Sequence, residues 1–112
     1  MKNTIKGRIA TDITLTETDN NNIVANFRIA ENKAYQRKGR KFKLASFYAV
    51  KAWNGVAKAI ERTLQKGDLV EFETNVTPNS WVDKHGELKE ELLLTVNSFR
   101  IVRRKGQMPQ AV

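Results

Sequence analysis

Alternating apolar and polar residues dominate the start of the chain, with the period of two that is typical of half-buried β-strands. The pattern predicts one long strand over residues 3–15, in which Gly7 marks a bulge or a close backbone approach. The polar run TETDNNN at residues 16–22 predicts a loop, and renewed alternation predicts a second strand over residues 23–30. The apolar parity of the first strand comprises Ile5, Ile9, Ile13 and Leu15.

A third strand is predicted over residues 41–53, which read KFKLASFYAVKAW. It follows the basic segment NKAYQRKGRK, whose Gly39 predicts the turn of a hairpin arm. The even positions of the strand are mostly apolar and are expected to face the core. The odd positions are expected to face outward, although they include Lys43, Phe47, Lys51 and Trp53.

The hydrophobic period changes after Trp53. A helix is predicted over residues 55–65, with Asn54 as its N-cap and Gly67 as its stop signal. The apolar stripe of this helix comprises Val56, Ile60 and Leu64.

Two further strands are predicted after the helix. The fourth covers residues 70–76 and is broken by Pro78. The segment from Trp81 to Val102 predicts a hairpin around the turn DKHG, with a register slip near Asn97 and Ser98. The order of elements predicts an all-β fold with one short helix, namely the OB-fold, a five-stranded Greek-key barrel with its helix between strands 3 and 4.

Length and composition predict one soluble domain. Residues 1–103 are expected to form the barrel, and residues 104–112 a short flexible basic tail. The absence of cysteine excludes disulfides, thiolate metal ligands and a cysteine nucleophile. The N-terminus lacks the apolar segment of a signal peptide, and no apolar run reaches membrane-spanning length, so a cytoplasmic protein without membrane contact is expected.

Positive charge is concentrated in two parts of the chain. Lys and Arg outnumber Asp and Glu by 20 to 12, which gives a formal net charge of +8. The stretch between Glu31 and Glu61 contains no acidic residue, and a second basic cluster lies at residues 100–105. This clustering indicates a polyanion-binding surface, with a merely solvated basic surface as the alternative.

Catalytic signals are weak. The single histidine, His85, lies in the DKHG turn and cannot assemble a metal site alone. Glu71 and Glu73 share a strand face and are interpreted as exposed barrel exterior. No phosphate-binding loop or nucleophile motif occurs, so no enzymatic activity, metal or cofactor is expected.

Exposed aromatic rings beside lysines are the most informative feature of the third strand. Phe47 and Trp53 are expected to project outward near Lys43 and Lys51, while small alanines leave the rings uncovered. Flat rings stack on unpaired bases and cations neutralise phosphates, so the pattern suits single-stranded nucleic acid better than a duplex. Tyr35 and Trp81 extend the theme; cover by the helix, a loop or a second subunit is the alternative for these rings.

Four sequence blocks resemble the bacterial single-stranded-DNA-binding protein family, over about residues 3–102. The blocks are TIKGRIATD near the N-terminus, VANFRIAENKAY at residues 24–35, AW followed by NGVAKAIERTLQKGDLV up to residue 70, and SWVDKHGE at residues 80–87. The resemblance implies an OB-fold that wraps single-stranded DNA without sequence preference, usually as a homotetramer.

The same resemblance implies the binding residues. The family's stacking aromatics correspond to Tyr35, Phe47, Trp53 and Trp81. The phosphate neighbours that it implies are Lys33, Lys43, Lys51 and Lys84, together with Arg8 and Arg37.

Two departures from the family pattern bear on partners. The chain ends in GQMPQAV, without the acidic, hydrophobic tip by which the family recruits replication and repair proteins, so recruitment by that route is not expected. The block TNVTPNS also lacks a glycine that is frequent in the family. Short, tailless members resemble versions found on bacteriophages and mobile elements.

Three interpretations of function remain open. The first is a protein that coats single-stranded DNA during replication, recombination or repair. The second is an RNA-binding or replication-restart accessory barrel that uses the same face. The third is a protein-interaction module whose basic arm binds an acidic partner.

Overall fold

The structure is a computed structural model that describes residues 2–106. Six strands and one helix make up this part of the chain. Their bounds are β1 Lys2–Ile9, β2 Thr14–Glu17, β3 Ile23–Arg37, β4 Arg40–Trp53, α1 Asn54–Thr63, β5 Leu69–Val82 and β6 Leu88–Arg103.

Five of the strands close into a barrel. The hydrogen-bonded order is β1-β5-β6-β4-β3, and β1 returns to β3 through the pairs Arg8–Ala30 and Ile9–Ile29. Only β4 and β6 run parallel, and they are joined by three residue pairs, from Ala49–Leu93 to Lys51–Thr95. The short β2 adds to the outer edge of β3. A five-stranded barrel with its helix between the third and fourth barrel strands confirms the predicted OB-fold.

The barrel interior is filled by the apolar parity of each strand. Phe27 and Phe72 lie at its centre, with ring centroids 5.8 Å apart. The helix closes one end by burying Ala57 and Ile60. The other large, fully buried apolar side chains are Ile9, Ile29, Val50, Val70 and Leu94.

The single strand predicted over residues 3–15 is interrupted, because the chain bends after Ile9 and resumes as β2 at Thr14. Between the pairs Ile9–Ile29 and Thr14–Asn26, five steps along this segment match only three along β3. Two residues are therefore in excess, and the hydroxyl of Thr11 accepts the backbone N–H of Arg28 at 2.9 Å inside the bend. Gly7 marks the predicted close approach, since a Cβ there would lie 3.2 Å from the carbonyl oxygen of Ala30.

Pro78 does not end the fourth barrel strand, contrary to the prediction. The pairing of β5 with β1 ends at Lys2–Asn75, so beyond that pair β5 is bordered by β6 alone. A strand with one free edge tolerates the missing N–H of proline. The predicted slip near Asn97 is confirmed: Glu73 pairs with Ser98 and Thr74 with Val96, which leaves Asn97 as a bulge.

The helix begins one residue earlier than predicted, and Asn54 is not its cap. Trp53 occupies the N-cap position without a side-chain capping bond. Asn54 instead has a positive φ of 50°, and its side-chain oxygen accepts the backbone N–H of Ile23 at 2.9 Å. Its side chain is thus used to join the start of β3 to the end of β4.

A buried carboxylate holds the end of β6. Asp68 is fully buried and accepts the backbone N–H groups of Gln65 at 3.0 Å and Lys105 at 2.8 Å. The guanidinium of Arg104 pairs with the same carboxylate at 3.2 Å. Of the tail that was predicted for residues 104–112, the part from 107 onward lies outside the described residues.

Within residues 2–106, no helix combines the length and apolar character that crossing a membrane requires.

Candidate nucleic-acid interface

One outward surface of the barrel carries half of the residues predicted to bind nucleic acid. In β4 this surface is formed by the odd positions, because Val50 and Ala52 on the even parity are buried. In β3 it is formed by the even positions, which pair with them: Arg28 lies opposite Ala49 and Asn26 opposite Lys51. Leu93 and Thr95 of β6 continue the same rows. We call this surface the groove face.

Two hairpin arms diverge from the groove face. The β3–β4 arm comprises residues 31–46 and the β5–β6 arm residues 78–92. They separate because the β4–β6 pairs end at Ala49–Leu93. A groove of about 550 Å³ lies at their root. Its lining side chains on the groove face are Asn26, Arg28, Ala49, Lys51, Asn79, Glu91 and Leu93; the bend after β1 adds Thr11 and Asp12, and the start of β2 adds Thr14.

Phe47 and Trp53 project from the groove face as predicted. Their exposed fractions are 56% and 40%, so the described part of the chain leaves both rings open to solvent. They stand six residues apart on β4, about 20 Å along the strand. Lys51 and Ala49 lie between them on the same face. Along β4, the surface between the two rings therefore carries one cation and one small side chain.

Trp81 lies on the groove side of the β5–β6 arm. Outward parity in β5 is odd, since Val70, Phe72 and Thr74 are buried, and Trp81 shares it. It pairs with Lys89 of β6 and is 42% exposed. Lys84, at the tip of this arm, is exposed.

Tyr35 is not on the groove face. It shares the parity of Phe27 and Ile29, and it lies directly opposite Phe42, which shares the parity of Val50. Beyond the barrel this side of the β3–β4 arm has no core to cover, so Tyr35 and Phe42 are 47% and 45% exposed. The structure therefore brings three predicted aromatics to one face and leaves the fourth on the opposite side of an arm.

The predicted cations do not all lie on the groove face. Lys43 and Lys51 lie on the groove face, beside Phe47 and Trp53. Lys33 lies on the side of Tyr35 and forms an ion pair with Glu31 at 3.4 Å; Coulomb attraction and a hydrogen bond to that carboxylate raise the pKa of Lys33. Arg37 is exposed at the turn of the β3–β4 arm.

Arg8 has a structural partner. Its guanidinium donates a hydrogen bond to the carbonyl oxygen of Gly67 at 2.7 Å and so joins β1 to the segment after the helix. The bond places the guanidinium near the helix end of the molecule.

Arg28 was missed by the sequence prediction. It lies in the groove, and its guanidinium forms an ion pair with Glu91 of β6 at 3.6 Å. The signal was present in the sequence, because Arg28 occupies the outward parity of the predicted second strand. Its ion pair could not be foreseen, because it depends on β6 lying beside β4.

The residues considered for catalysis have ordinary structural surroundings. Glu71 forms an ion pair with Arg100 at 3.3 Å on the barrel exterior. His85 is a turn residue whose backbone N–H is accepted by Asp83 at 2.8 Å. Among residues 2–106, no group of three or more His, Asp or Glu side chains is placed to hold a metal ion.

Comparison with known proteins agrees with this architecture. The fold is similar to that of the small single-stranded DNA-binding protein from Streptomyces coelicolor, with a TM-score of 0.76 and 18% identity over 90% of this chain and 93% of the other. It is also similar to the Plasmodium falciparum SSB protein, solved in complex with ssDNA, with a TM-score of 0.78 and 16% identity over 91% of this chain and 92% of the other. No curated protein sequence matches the chain.

The family comparison covers nearly the whole barrel. The model of the single-strand binding protein family matches residues 1–102, which span β1 to the penultimate residue of β6. The chain belongs to the single-strand binding protein family.

Proposed function

We propose that this protein binds single-stranded DNA without sequence preference, and that it coats and protects exposed strands during replication, recombination or repair by binding alone. The observation that carries the proposal is the shared outward direction of Phe47, Trp53 and Trp81, beside Lys43 and Lys51. Large exposed rings are costly in water and are typical of a surface that receives a partner.

The chemistry of that surface fits unpaired bases. Stacking on an aromatic ring contributes about 1–3 kcal/mol per base and is indifferent to base identity, while lysines neutralise the backbone. Bases in a duplex are already stacked and would leave the rings exposed. A protein that binds only the unpaired form shifts the melting equilibrium of hairpins toward the single strand.

The proposed contacts fall into two classes. Stacking is assigned to Tyr35, Phe47, Trp53 and Trp81. Phosphate contacts are assigned to Lys43, Lys51 and Lys84, with Lys33, Arg37 and Arg8 as outer contacts on a longer strand. Because Tyr35 lies on the other side of its arm, a strand that reaches both Phe47 and Tyr35 must pass around the arm.

A homo-oligomer, with the tetramer as the expected state, is part of the proposal. The faces of both arms that continue the core parity carry exposed apolar side chains. Apart from the stacking residue Tyr35, these side chains are Phe42 and Leu44 on the β3–β4 arm, and Val82, Leu88 and Leu92 on the β5–β6 arm. Second copies that cover these faces would remove them from water and would place several groove faces on one particle.

Tryptophan fluorescence tests the proposal, because both tryptophans lie on the proposed surface. Titration with poly-dT is expected to quench emission strongly, with an apparent affinity that falls as salt rises; a duplex of the same length is expected to change little. Preferential binding of poly-rU would favour the RNA interpretation instead. No binding of either polymer would leave the protein-interaction interpretation and overturn the proposal.

A further inference from the structure

The groove is electrically balanced although the protein is strongly basic. Its charged lining residues are Asp12, Arg28, Lys51 and Glu91, two cations and two carboxylates. The chain as a whole has a formal net charge of +8. A site for a polyanion is expected to be the most positive part of such a surface, so a carboxylate that pairs with a cation of the groove needs an explanation.

Arg28 and Glu91 are partners across a strand. Arg28 lies on β3 and Glu91 on β6, and β4 runs between them. The residue of β4 that stands opposite Arg28 is Ala49, whose small side chain leaves the guanidinium free to cross β4. The nitrogen–oxygen distance is 3.6 Å, and both side chains keep contact with solvent, with exposed fractions of 43% and 33%.

An ion pair of this kind is easily exchanged. Solvent-exposed pairs contribute little to folding stability, so the barrel does not depend on this one. Phosphate offers a guanidinium the same planar, two-oxygen recognition as a carboxylate. Arg28 also lies between Phe47 and Trp53 along the groove face, where the backbone of a stacked strand has to pass.

We propose that Arg28 is a phosphate-binding residue that Glu91 holds in the free protein, and that DNA binding replaces the carboxylate of Glu91 by a phosphate. Glu91 thereby lowers the affinity of the groove for any anion that cannot also stack on the neighbouring rings. This inference rests on the proposed function and identifies a residue pair that regulates it.

A double-mutant cycle tests the exchange. Glu91→Gln, Arg28→Gln and the double variant are compared with the unchanged protein for binding of (dT)8, which is short enough for one barrel. Glu90→Gln serves as the matched control, because Glu90 is the next residue on the same strand and points to the opposite face. Circular dichroism confirms that each variant is folded.

The expected results differ sharply between variants. Glu91→Gln is expected to raise the affinity about threefold to tenfold at low salt and to steepen the dependence of log K on log salt by up to about 0.7. Glu90→Gln is expected to change the affinity less than twofold. In the Arg28→Gln background, Glu91→Gln is expected to produce no more gain than the control.

Three results would overturn the inference. The first is an unchanged affinity of Glu91→Gln, which would mean that Glu91 does not restrain Arg28, or a lower affinity, which would mean that Glu91 positions Arg28 for binding. The second is an equal gain with and without Arg28, which would reduce Glu91 to a general repulsive charge. In these two cases the unchanged protein still binds (dT)8, and the proposed function stands. The third result is failure of the unchanged protein to bind (dT)8, which would overturn the inference and the proposed function together.

Discussion

The side-chain oxygen of Asn54 accepts the backbone N–H of Ile23 at 2.9 Å, and this bond ties the first residue of β3 to the residue that follows Trp53. Asn54 has a φ of 50°, a left-handed conformation that asparagine tolerates better than most residues. One residue therefore serves both the turn into the helix and the joining of the end of β4 to the start of β3.

Substitution of Asn54 separates these two roles. Asn54→Ala loses the hydrogen bond and strains the backbone, so the free energy of unfolding is expected to fall by about 1–2 kcal/mol. Asn54→Gly loses the side-chain hydrogen bonds but accommodates the positive φ, and a fall of about 0.5–1 kcal/mol is expected. Urea denaturation measures both values. An Asn54→Gly variant less stable than Asn54→Ala would contradict the role of the backbone conformation.

Two glycines predict opposite responses to alanine. A Cβ on Gly7 would lie 3.2 Å from the backbone oxygen of Ala30, so Gly7→Ala is expected to lower the free energy of unfolding by about 1–2 kcal/mol. A Cβ on Gly55, in the first turn of α1, would meet no atom within 4 Å, so Gly55→Ala is expected to raise it by up to about 1 kcal/mol. Thermal unfolding of the two variants checks the signs.

The buried carboxylate of Asp68 predicts a large loss of stability. Asp68→Ala leaves the N–H groups of Gln65 and Lys105 without their acceptor, and a decrease of about 2–4 kcal/mol in the free energy of unfolding is expected. Asp19→Ala, in an exposed turn, is the control and is expected to change stability by less than about 0.5 kcal/mol. If Asp68→Ala lowered the free energy of unfolding no more than Asp19→Ala, the hydrogen bonds of Asp68 would not stabilise the fold.

Phe47 and Phe42 form a matched pair for the groove face. Both are exposed phenylalanines of β4, on opposite parities. Phe47→Ala is expected to weaken binding of (dT)8 by about 1–3 kcal/mol, measured by fluorescence titration. Phe42→Ala is expected to leave that affinity within about 0.5 kcal/mol and to lower the oligomeric state in analytical ultracentrifugation. If Phe42→Ala weakened binding of (dT)8 and Phe47→Ala lowered the oligomeric state, the binding surface would lie on the side of Phe42, and the proposed groove face would be wrong.

The lysines of the groove face predict a change in salt dependence. Lys43→Ala and Lys51→Ala are each expected to reduce the slope of log K against log salt by about 0.7, because each removes one phosphate contact. Lys58→Ala, on the exposed side of the helix, is expected to leave the slope unchanged. If all three variants kept the slope of the unchanged protein, neither Lys43 nor Lys51 would contact a phosphate.

The alternation of the sequence predicted the fold and most of the groove face, because period-two patterning directly encodes which side of a strand is buried. That was sufficient for Phe47 and Trp53, whose outward position is confirmed. The opposite placement of Tyr35 was also encoded, by the odd parity of Phe27 and Ile29, but the turn-rich composition of the arm obscured it.

Contacts between distant segments could not be predicted in this way. The bend after Ile9 depends on a register difference between two pairings with β3, which alternation leaves undetermined. The bond from Arg8 to the carbonyl of Gly67 and the pair of Arg28 with Glu91 join residues 59 and 63 positions apart. Such contacts follow from barrel closure and carry no local signature.

Only a short parallel pairing, of three residue pairs, joins β4 to β6 directly beneath the groove. A nucleic-acid strand that contacted β3 and β4 on one side and the β5–β6 arm on the other would bridge this pairing and stabilise it. If binding stabilises the β4–β6 pairing, thermodynamic reciprocity requires that a change which stabilises this pairing also raises the affinity for nucleic acid, by the same factor. Amide hydrogens of Val50 and Leu94 would report on this coupling, through slower exchange with solvent in the bound protein.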